Sequence, residues 1–352
     1  LGGLGMVLNQ WLARRSAKHL LLMGRSEPKG PAIDVLERLR AQGVSVQLLK
    51  ADVADEAQVT HALNGALASA PPLRGVFHAA GLLDDAALLQ LDQAKLRRVL
   101  APKVAGTWNL HRSTLNQPLD HFVLFSSIAC LFGSPGQGNY AAGNAFLDGT
   151  AQYRACRGLP VLSINWGPWA ESGMAARNAD ESRLTAMGLG LLPPQPAMQT
   201  LERLMESSLV NVGVMDVDWA KMGGTFVGTV PSFLLDLVGE RKSESKADNK
   251  LRNEVFAAGP DKRHGVLENY FRAQLARVME LDAEKIDIQQ PLNSLGLDSL
   301  MVIELKNVIE SSLEITIPMS RFLEGPSLSQ LAGYALESMG EISEVAGTPP
   351  TA

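Results

Sequence analysis

The feature that most constrains this chain is an alternation of short apolar runs with longer amphipathic stretches, which continues to about Trp219. The runs are rich in Val, Leu and Ile and apolar on both faces, as central strands of a parallel sheet are. They lie at His19–Met23, Val44–Leu49, Val76–Ala79, Phe122–Phe125 and Val161–Asn165, separated by helix-length stretches such as Glu56–Leu67, Ala94–Leu110 and Tyr140–Arg157. The alternation predicts an α/β fold with a doubly wound parallel sheet. A set of short buried helices is the alternative, which the turn residues after the runs disfavour.

The last third of the chain differs in composition and in the period of its apolar residues. Residues 241–250 are charged and poor in apolar side chains, which is typical of a linker. Amphipathic helical periods then follow at Leu267–Met279, Leu300–Ser311 and Leu328–Ser338, with no strand-like alternation. We therefore predict an α/β domain over 1–222, a linker over 223–262, a small all-α four-helix bundle over 263–340 and a tail over 341–352.

Composition excludes several classes of protein. The 352 residues are 46% hydrophobic, and 32 basic side chains face 37 acidic ones, which excludes a disordered chain and a nucleic-acid binder held by bulk positive charge. The two cysteines, Cys130 and Cys156, provide no disulfide framework or zinc spacing, so we expect a reduced, cytoplasmic protein. The histidines have no metal-ligand spacing, and no apolar run is long enough to span a bilayer, so we expect neither a metal nor a membrane.

Residues typical of a dinucleotide site follow the predicted strands. A glycine cluster that includes Gly3 and Gly5 leads into the first helix, where backbone N–H groups can approach a pyrophosphate. Arg25 and Ser26 follow the next strand, and an arginine there favours the 2′-phosphate of NADPH over the free hydroxyl of NADH. A solvated loop cation is the alternative for Arg25. Further cofactor-binding candidates after the next two strands are Asp52, Ala79, Ala80 and Gly81.

Four polar residues form a candidate catalytic group. Ser127 follows the fourth predicted strand, Phe122–Phe125, and Tyr140 lies 13 residues after Ser127. Asn144 lies one helical turn beyond Tyr140. A tyrosine needs a neighbouring cation before it exchanges a proton near neutral pH, and Lys103 could supply that charge. The alternative makes Tyr140 an interface aromatic and the Ser126–Ser127 pair a helix cap.

Together these residues resemble the ketoreductase domain of modular type I polyketide synthases, a Rossmann-like branch of the short-chain dehydrogenase/reductases. The matching segments are Leu1–Gly5, His19–Ser26, Phe77–Gly81, Leu124–Ser127, Gly136–Tyr140 and Asn165–Pro168. The resemblance implies that Tyr140 protonates the developing alkoxide and Ser127 binds the substrate carbonyl. It also implies that Lys103 lowers the tyrosine pKa and binds the ribose, while Asn144 completes a proton relay. Free-standing reductases of this superfamily have Lys where Asn144 stands, but the polyketide branch exchanges the two positions.

The resemblance extends to stereochemistry. Leu83, Asp84 and Asp85 match the signature of B-type ketoreductases, which give the D-configured β-hydroxyl. Phe132 stands where A-type domains have Trp, and Ala142 resembles the subclass whose substrates lack an epimerised α-methyl group. An ordinary acidic loop is the alternative for the 83–85 segment.

The helical region resembles acyl carrier protein domains. Gly296-Leu297-Asp298-Ser299-Leu300 precedes an amphipathic helix, and Pro291, Ile317–Pro318 and Pro326–Leu331 match the surrounding pattern. The resemblance implies that Ser299 carries 4′-phosphopantetheine, attached by a phosphopantetheinyl transferase, and that Asp298 and the next helix meet partner domains such as a ketosynthase and an acyltransferase. A serine N-cap is the alternative.

The two resemblances together imply a polyketide synthase segment that reduces a carrier-bound β-ketoacyl thioester with NADPH. Two alternatives stay open: a carrier and interaction module with a silent reductase half, and a segment of a fatty-acid-type synthase. The family's nucleotide motif begins with a strand and a Thr-Gly pair, whereas Leu1 lies inside the glycine loop. We therefore expect a sheet without its N-terminal strand, and impaired reductase activity.

Overall fold

The computed structural model describes residues 2–171, 181–225, 232–238, 250–279, 282–295, 297 and 299–346. The chain divides into two compact units, Leu1–Lys221 and Met222–Ala352. None of the described helices is long and apolar enough to cross a membrane.

The first unit alternates strands and helices, as predicted. Its strands are β1 (His19–Gly24), β2 (Ser45–Lys50), β3 (Gly75–His78), β4 (His121–Ser127), β5 (Leu162–Trp166), β6 (Leu189–Gly190), β7 (Asn211–Val214) and β8 (Asp216–Val217). Its helices are α1 (Gly3–Arg14), α2 (Pro31–Ala41), α3 (Glu56–Leu67), α4 (Gln93–Ser113), α5 (Ala129–Phe132), α6 (Gly138–Ala155), α7 (Glu181–Ala186) and α8 (Pro194–Met205). A further helix, α9 (Trp219–Thr225), crosses the boundary between the units.

The strands form parallel ladders, which confirms the predicted sheet type. β1 pairs with β2, and β3, β4, β5 and β7 pair in that order, with Val76 opposite Phe122 and Ile164 opposite Val212. Every residue of β5 is buried, because apolar side chains cover both faces of the central strands. β6 and β8 form a separate antiparallel pair.

The parallel sheet is divided between β1 and β3. Among the described residues, the β1–β2 pair and the four-stranded ladder share no hydrogen-bonded strand. All residues of β1 and β3 nevertheless line one cavity of about 1110 Å³, together with residues of α1. We call this cavity between β1 and β3 the slot. It lies between the two parallel ladders, where a doubly wound sheet has a central strand.

The second unit is a helical bundle. Its helices are α10 (Leu235–Val238), α11 (Lys250–Ala257), α12 (Pro260–Met279), α13 (Ser299–Leu313), α14 (Met319–Leu323) and α15 (Leu328–Ala346). Leu267 and Phe271 of α12, Leu305 of α13 and Leu331 of α15 are fully buried in one core.

The structure differs from the predicted boundaries on both sides of this bundle. α11 lies within the predicted 223–262 linker, yet its Leu251 and Val255 are 8% and 1% exposed in the bundle core. Their four-residue spacing puts both side chains on one face of the helix. Arg252 of the same helix pairs with Glu314 at 2.8 Å. At the other end, α15 continues to Ala346, into the predicted tail.

Candidate active site

Lys103 lies on α4, whose first turn is capped by Asp92 through a 2.7 Å hydrogen bond from the Lys95 amide. Only 3% of Lys103 is exposed, and its Nζ donates to the Phe125 carbonyl oxygen at 2.8 Å. The ammonium also lies 5.8 Å from the ring centre of Tyr140. Burial lowers the pKa of Lys103 to about 8, while Cys130 and Asp148 act in the opposite direction.

Tyr140 lies in the first turn of α6, and Asn144 lies one turn further along. The Asn144 amide donates to the Tyr140 carbonyl oxygen at 2.8 Å, and its buried Oδ1 has no partner among the described residues. Burial raises the pKa of Tyr140, although the side chains of Ser127 and Asn144 act to lower it, so the pKa differs in direction from the lowering by Lys103 that the resemblance implies. The phenol is therefore protonated at neutral pH and can serve as a proton donor.

Ser127 ends β4 and is half-buried. Its Oγ accepts a 3.2 Å hydrogen bond from the Ala129 amide and interacts with the Tyr140 hydroxyl. The structure thus brings together the four predicted catalytic candidates, Ser127, Tyr140, Lys103 and Asn144, from one strand and two helices. Carboxyl ends of parallel strands are where open α/β sheets place their sites.

The segment from Leu83 to Asp85 lies against the entry to α6. The Asn139 amide donates to the Asp84 carbonyl oxygen and the Gln137 amide to Asp85 Oδ2, each at 2.8 Å. Arg98 pairs with the Asp84 carboxylate at 2.5 Å. These bonds connect the predicted stereocontrol residues to the turn that presents Tyr140.

The predicted cofactor residues share one cavity. The slot is lined by all eight of them, which are Gly3, Gly5, Arg25, Ser26, Asp52, Ala79, Ala80 and Gly81. Gly3 is the first residue of α1, and no side chain caps that helix. Arg25 and Ser26 are exposed beyond the end of β1. Uncapped N–H groups at a helix start suit a pyrophosphate, and an exposed arginine suits a 2′-phosphate, so these residues fit a nicotinamide dinucleotide.

Gly81 links this cavity to the catalytic group. A Cβ atom at Gly81 would lie 3.0 Å from Lys103 Cε, a tight contact, so the loop after β3 approaches the lysine side chain closely. The approach places Lys103 between the predicted cofactor residues and Tyr140.

Several residues at the site were not predicted from the sequence. His78 is buried at the end of β3, and its Nε2 lies 3.0 Å from the carbonyl oxygen of Pro102, which precedes Lys103. Burial, followed by the Lys103 charge, lowers the pKa of His78 to about 3, so the ring is neutral. Asp148 of α6 accepts hydrogen bonds from Ser163 and Asn165 of β5. The spacing of Asp148, two helical turns after Tyr140, was the available signal.

In the second unit, Ser299 is the first residue of α13. Its side chain, together with Gly296 and Asp298, lies outside the described part of the structure. A position at the start of a helix agrees with the interpretation as a modified serine, whereas an N-cap would precede the first helical residue.

Two family models match this chain. A KR domain model matches residues 1–171, and a phosphopantetheine attachment site model matches residues 269–335.

The chain is also similar to large synthases. Polyketide synthase GfsB of Streptomyces halstedii is 33% identical over 99% of this chain and 6% of that protein. Erythronolide synthase EryA3 of Saccharopolyspora erythraea is 33% identical over 99% of this chain and 11% of that protein. The chain thus spans less than a fifth of the length of these relatives.

Solved ketoreductases share the fold of the first unit. A ketoreductase from the first module of phoslactomycin biosynthesis in Streptomyces superposes with a TM-score of 0.63 at 35% identity, over 68% of this chain and 56% of that one. A-type ketoreductases from a modular polyketide synthase give 0.62 at 35% identity, over 67% of this chain and 50% of theirs. With the two family matches in their predicted order, the chain belongs to the polyketide synthases, as a ketoreductase domain followed by a phosphopantetheine-binding carrier domain.

Proposed function

We propose that the first unit reduces the β-ketone of a carrier-bound acyl thioester, with NADPH as the reductant. The observation that supports this most directly is the group formed by Tyr140, Ser127 and Lys103, in which a protonated phenol lies beside a hydroxyl and a buried ammonium. This combination suits the protonation of an oxygen that gains negative charge.

Each side chain has a defined part in the proposed reaction. The Ser127 hydroxyl donates a hydrogen bond to the substrate carbonyl oxygen and orients it towards the Tyr140 phenol. A nicotinamide dinucleotide, which Gly3, Arg25 and Gly81 at the slot would help to hold, would supply the hydride for the β-carbon. The Tyr140 hydroxyl transfers its proton to the resulting alkoxide, and the Lys103 ammonium stabilises the phenolate that remains. The Oδ1 of Asn144, which has no hydrogen-bond partner among the described residues, is an acceptor for a relay that returns a proton to the tyrosine.

The choice of NADPH, the stereochemistry and the cellular environment are proposed from local features of the first unit. Arg25 and Ser26, exposed beside the slot, support NADPH as the cofactor. The hydrogen bonds from Gln137 and Asn139 connect the Leu83–Asp85 segment to α6, which supports a role for that segment in orienting the substrate and in B-type, D-hydroxyl selectivity. The free thiols of Cys130 and Cys156 support a reducing, cytoplasmic environment.

The carrier half is proposed to hold the substrate on Ser299 through 4′-phosphopantetheine. The start of α13 favours the attached phosphodiester electrostatically. Loading requires a phosphopantetheinyl transferase, and the acyl chain would come from ketosynthase and acyltransferase domains. Because reductase and carrier belong to one chain, delivery of the thioester is intramolecular, which raises its effective concentration.

The division of the sheet at the slot supports a second candidate, a carrier module whose reductase half is impaired or silent. NADPH oxidation with a β-ketoacyl thioester separates the two. We expect the wild-type chain to oxidise NADPH and Tyr140→Phe to lower kcat by about 10²–10⁴-fold. Tyr153→Phe, a control on the same helix, should keep wild-type activity. Equal rates for Tyr140→Phe and wild type would contradict the proposed mechanism, whereas a wild type that neither binds NADPH nor turns over would favour the silent module.

A parallel measurement tests the carrier assignment. Incubation with coenzyme A and a promiscuous transferase should add the mass of one phosphopantetheine to wild type and to the control Ser311→Ala, on the same helix. Ser299→Ala should gain no mass. A mass gain on Ser299→Ala would contradict Ser299 as the attachment site.

A further inference from the structure

Beneath the catalytic group, Asp148 is the centre of a polar network that the reaction described above does not use. Its Oδ1 accepts a 2.6 Å hydrogen bond from Ser163 Oγ, and its Oδ2 accepts a 2.7 Å bond from Asn165 Nδ2. The Cys130 thiol lies 3.2 Å from the same Oδ2. Ser163 and Asn165 are fully buried, so the carboxylate satisfies groups that cannot turn to solvent.

The network closes a ring between the catalytic helix and two strands. The Asn165 amide, which donates to Asp148, also lies 3.1 Å from Ser126 Oγ. The Ser126 hydroxyl in turn donates to the carbonyl oxygen of Asn144 at 3.2 Å. The path therefore leaves α6 at Asp148, passes through β5 and β4, and returns to α6 one turn earlier, at Asn144.

This ring lies next to Ser127 and Tyr140, the two groups that face the substrate oxygen in the proposed reaction. Ser127 is the next residue after Ser126, and Tyr140 is one turn before Asn144, so both are adjacent to the ring. The Cys130 thiol also lies 2.8 Å from the Ser127 carbonyl oxygen, which connects the end of β4 to the same carboxylate. A displacement of about 1 Å between reacting groups can cost about 10²-fold in rate.

We propose that Asp148 is the positioning residue of the reductase site, whose carboxylate holds the ends of β4 and β5 against α6 and so keeps Ser127 and Tyr140 in reacting geometry. This inference rests on the proposed function for its kinetic consequence, but its structural content does not. Asp148 touches neither substrate nor cofactor in this proposal, and it acts through Asn165, Ser163 and Cys130.

The network also has an electrostatic consequence. The charged or titratable groups that surround Lys103 are His78 on β3, Cys130 on α5, and Tyr140 and Asp148 on α6. Asp148 acts to raise the pKa of Lys103 against the larger effect of burial. The pKa of the Cys130 thiol is raised to about 11, mainly by burial and next by Asp148. Removal of the carboxylate should therefore lower the pKa of both groups.

Asp148→Asn tests the proposal, because asparagine keeps the shape and removes the charge. In the reductase assay we expect kcat to fall about tenfold or more, KM for NADPH to stay within about twofold, and the loss of activity at alkaline pH to begin at a lower pH. Asp34→Asn, which removes an exposed charge from α2, is the matched control and should behave as wild type. Ser163→Ala keeps the charge and removes one donor, so it should lower kcat without the shift in pH dependence.

A second readout needs no turnover. Cys130 should react with iodoacetamide faster in Asp148→Asn than in wild type, by about threefold or more at a given pH, since a lower thiol pKa increases the thiolate fraction. Exposed Cys156 serves as the internal reference in the same peptide digest. An unchanged ratio of Cys130 to Cys156 reactivity overturns the proposal, whatever the activity. A raised ratio in a chain whose wild type is inactive supports the Asp148–Cys130 contact on which the positioning role rests, and the inactivity then contradicts only the proposed reduction.

Discussion

The ammonium of Lys103 is buried, and burial disfavours its charged form. Its ammonium has one carbonyl acceptor, that of Phe125, and burial reduces its pKa to about 8. The lowered pKa has a direct kinetic meaning, because the ammonium is charged below about pH 8 and loses its charge as the pH rises through that value. The charge that stabilises the tyrosinate in the proposed reaction is then lost in the pH range in which enzymes are commonly assayed.

We therefore predict that the reductase rate falls as the pH rises through about 8. Lys103→Met should lower kcat/KM by about tenfold or more, because the neutral side chain cannot stabilise the developing phenolate. It should also abolish the decline near pH 8. A pH–rate profile from pH 6 to 10 on both proteins measures this. A decline that persists unchanged in Lys103→Met would assign it to another group.

Single residues were predictable where chemistry and spacing coincide. Ser127, Tyr140, Asn144 and Lys103 follow a pattern along the chain, and the structure brings them together. Asp148 was not predicted, although it lies two turns after Tyr140, because a carboxylate on a helix is usually solvated and its buried partners lie on another element, the following strand β5. Which polar groups meet beneath a site depends on strand register, which spacing within one helix does not reveal.

Helix α11 is a short element within the segment 223–262, which the sequence predicts to be a linker. Eight residues with two buried side chains form too short a period to stand out against the charged stretch before them. Packing against α12 and α13 nevertheless buries Leu251 and Val255, so tertiary contacts outweigh the weak local signal. β7 was not predicted either, because its local signal is also weak. Its four residues include Asn211 and Gly213, which are uncommon in strands, and none of the four is fully buried.

Because Leu251 is buried in the bundle core, we predict that Leu251→Ala destabilises the second unit by about 2–4 kcal/mol. Glu254→Ala, on the exposed face of the same helix, should change its stability by less than about 0.5 kcal/mol. Urea unfolding of the whole chain, followed by a signal assigned to the second unit, provides the comparison. Equal midpoints for the two variants would show that α11 contributes nothing to the bundle.

In the molecule as a whole, the dominant feature is the slot between β1 and β3. The sheet type, the strand alternation and the helical second unit follow from apolar periodicity, and the structure confirms them. The absence of a ladder between β1 and β3 leaves two edges whose N–H and C=O groups face one cavity.

We predict that an extended apolar segment of about six residues, fused ahead of Leu1, stabilises the first unit by roughly 2 kcal/mol or more, because it adds ladder hydrogen bonds and buries several side chains. NADPH binding should strengthen with it, since the slot is lined by all the predicted cofactor residues. The control is the same segment with proline at alternate positions, which cannot complete the ladder. Thermal unfolding and NADPH titration of the two fusions give the result. Identical midpoints and affinities would contradict the prediction.

Because of the slot, the stability of the first unit also depends on the concentration of any strand that can insert there. A strand that arrives from outside the described chain acts as a ligand for the folded state, so the measured melting temperature depends on its concentration. The same two edges accept any extended apolar segment, including one from another copy of the protein, which makes self-association in concentrated solution a competitor of correct strand insertion. At a fixed concentration of the inserting segment, dilution of the protein would then disfavour self-association and leave the slot open to that segment.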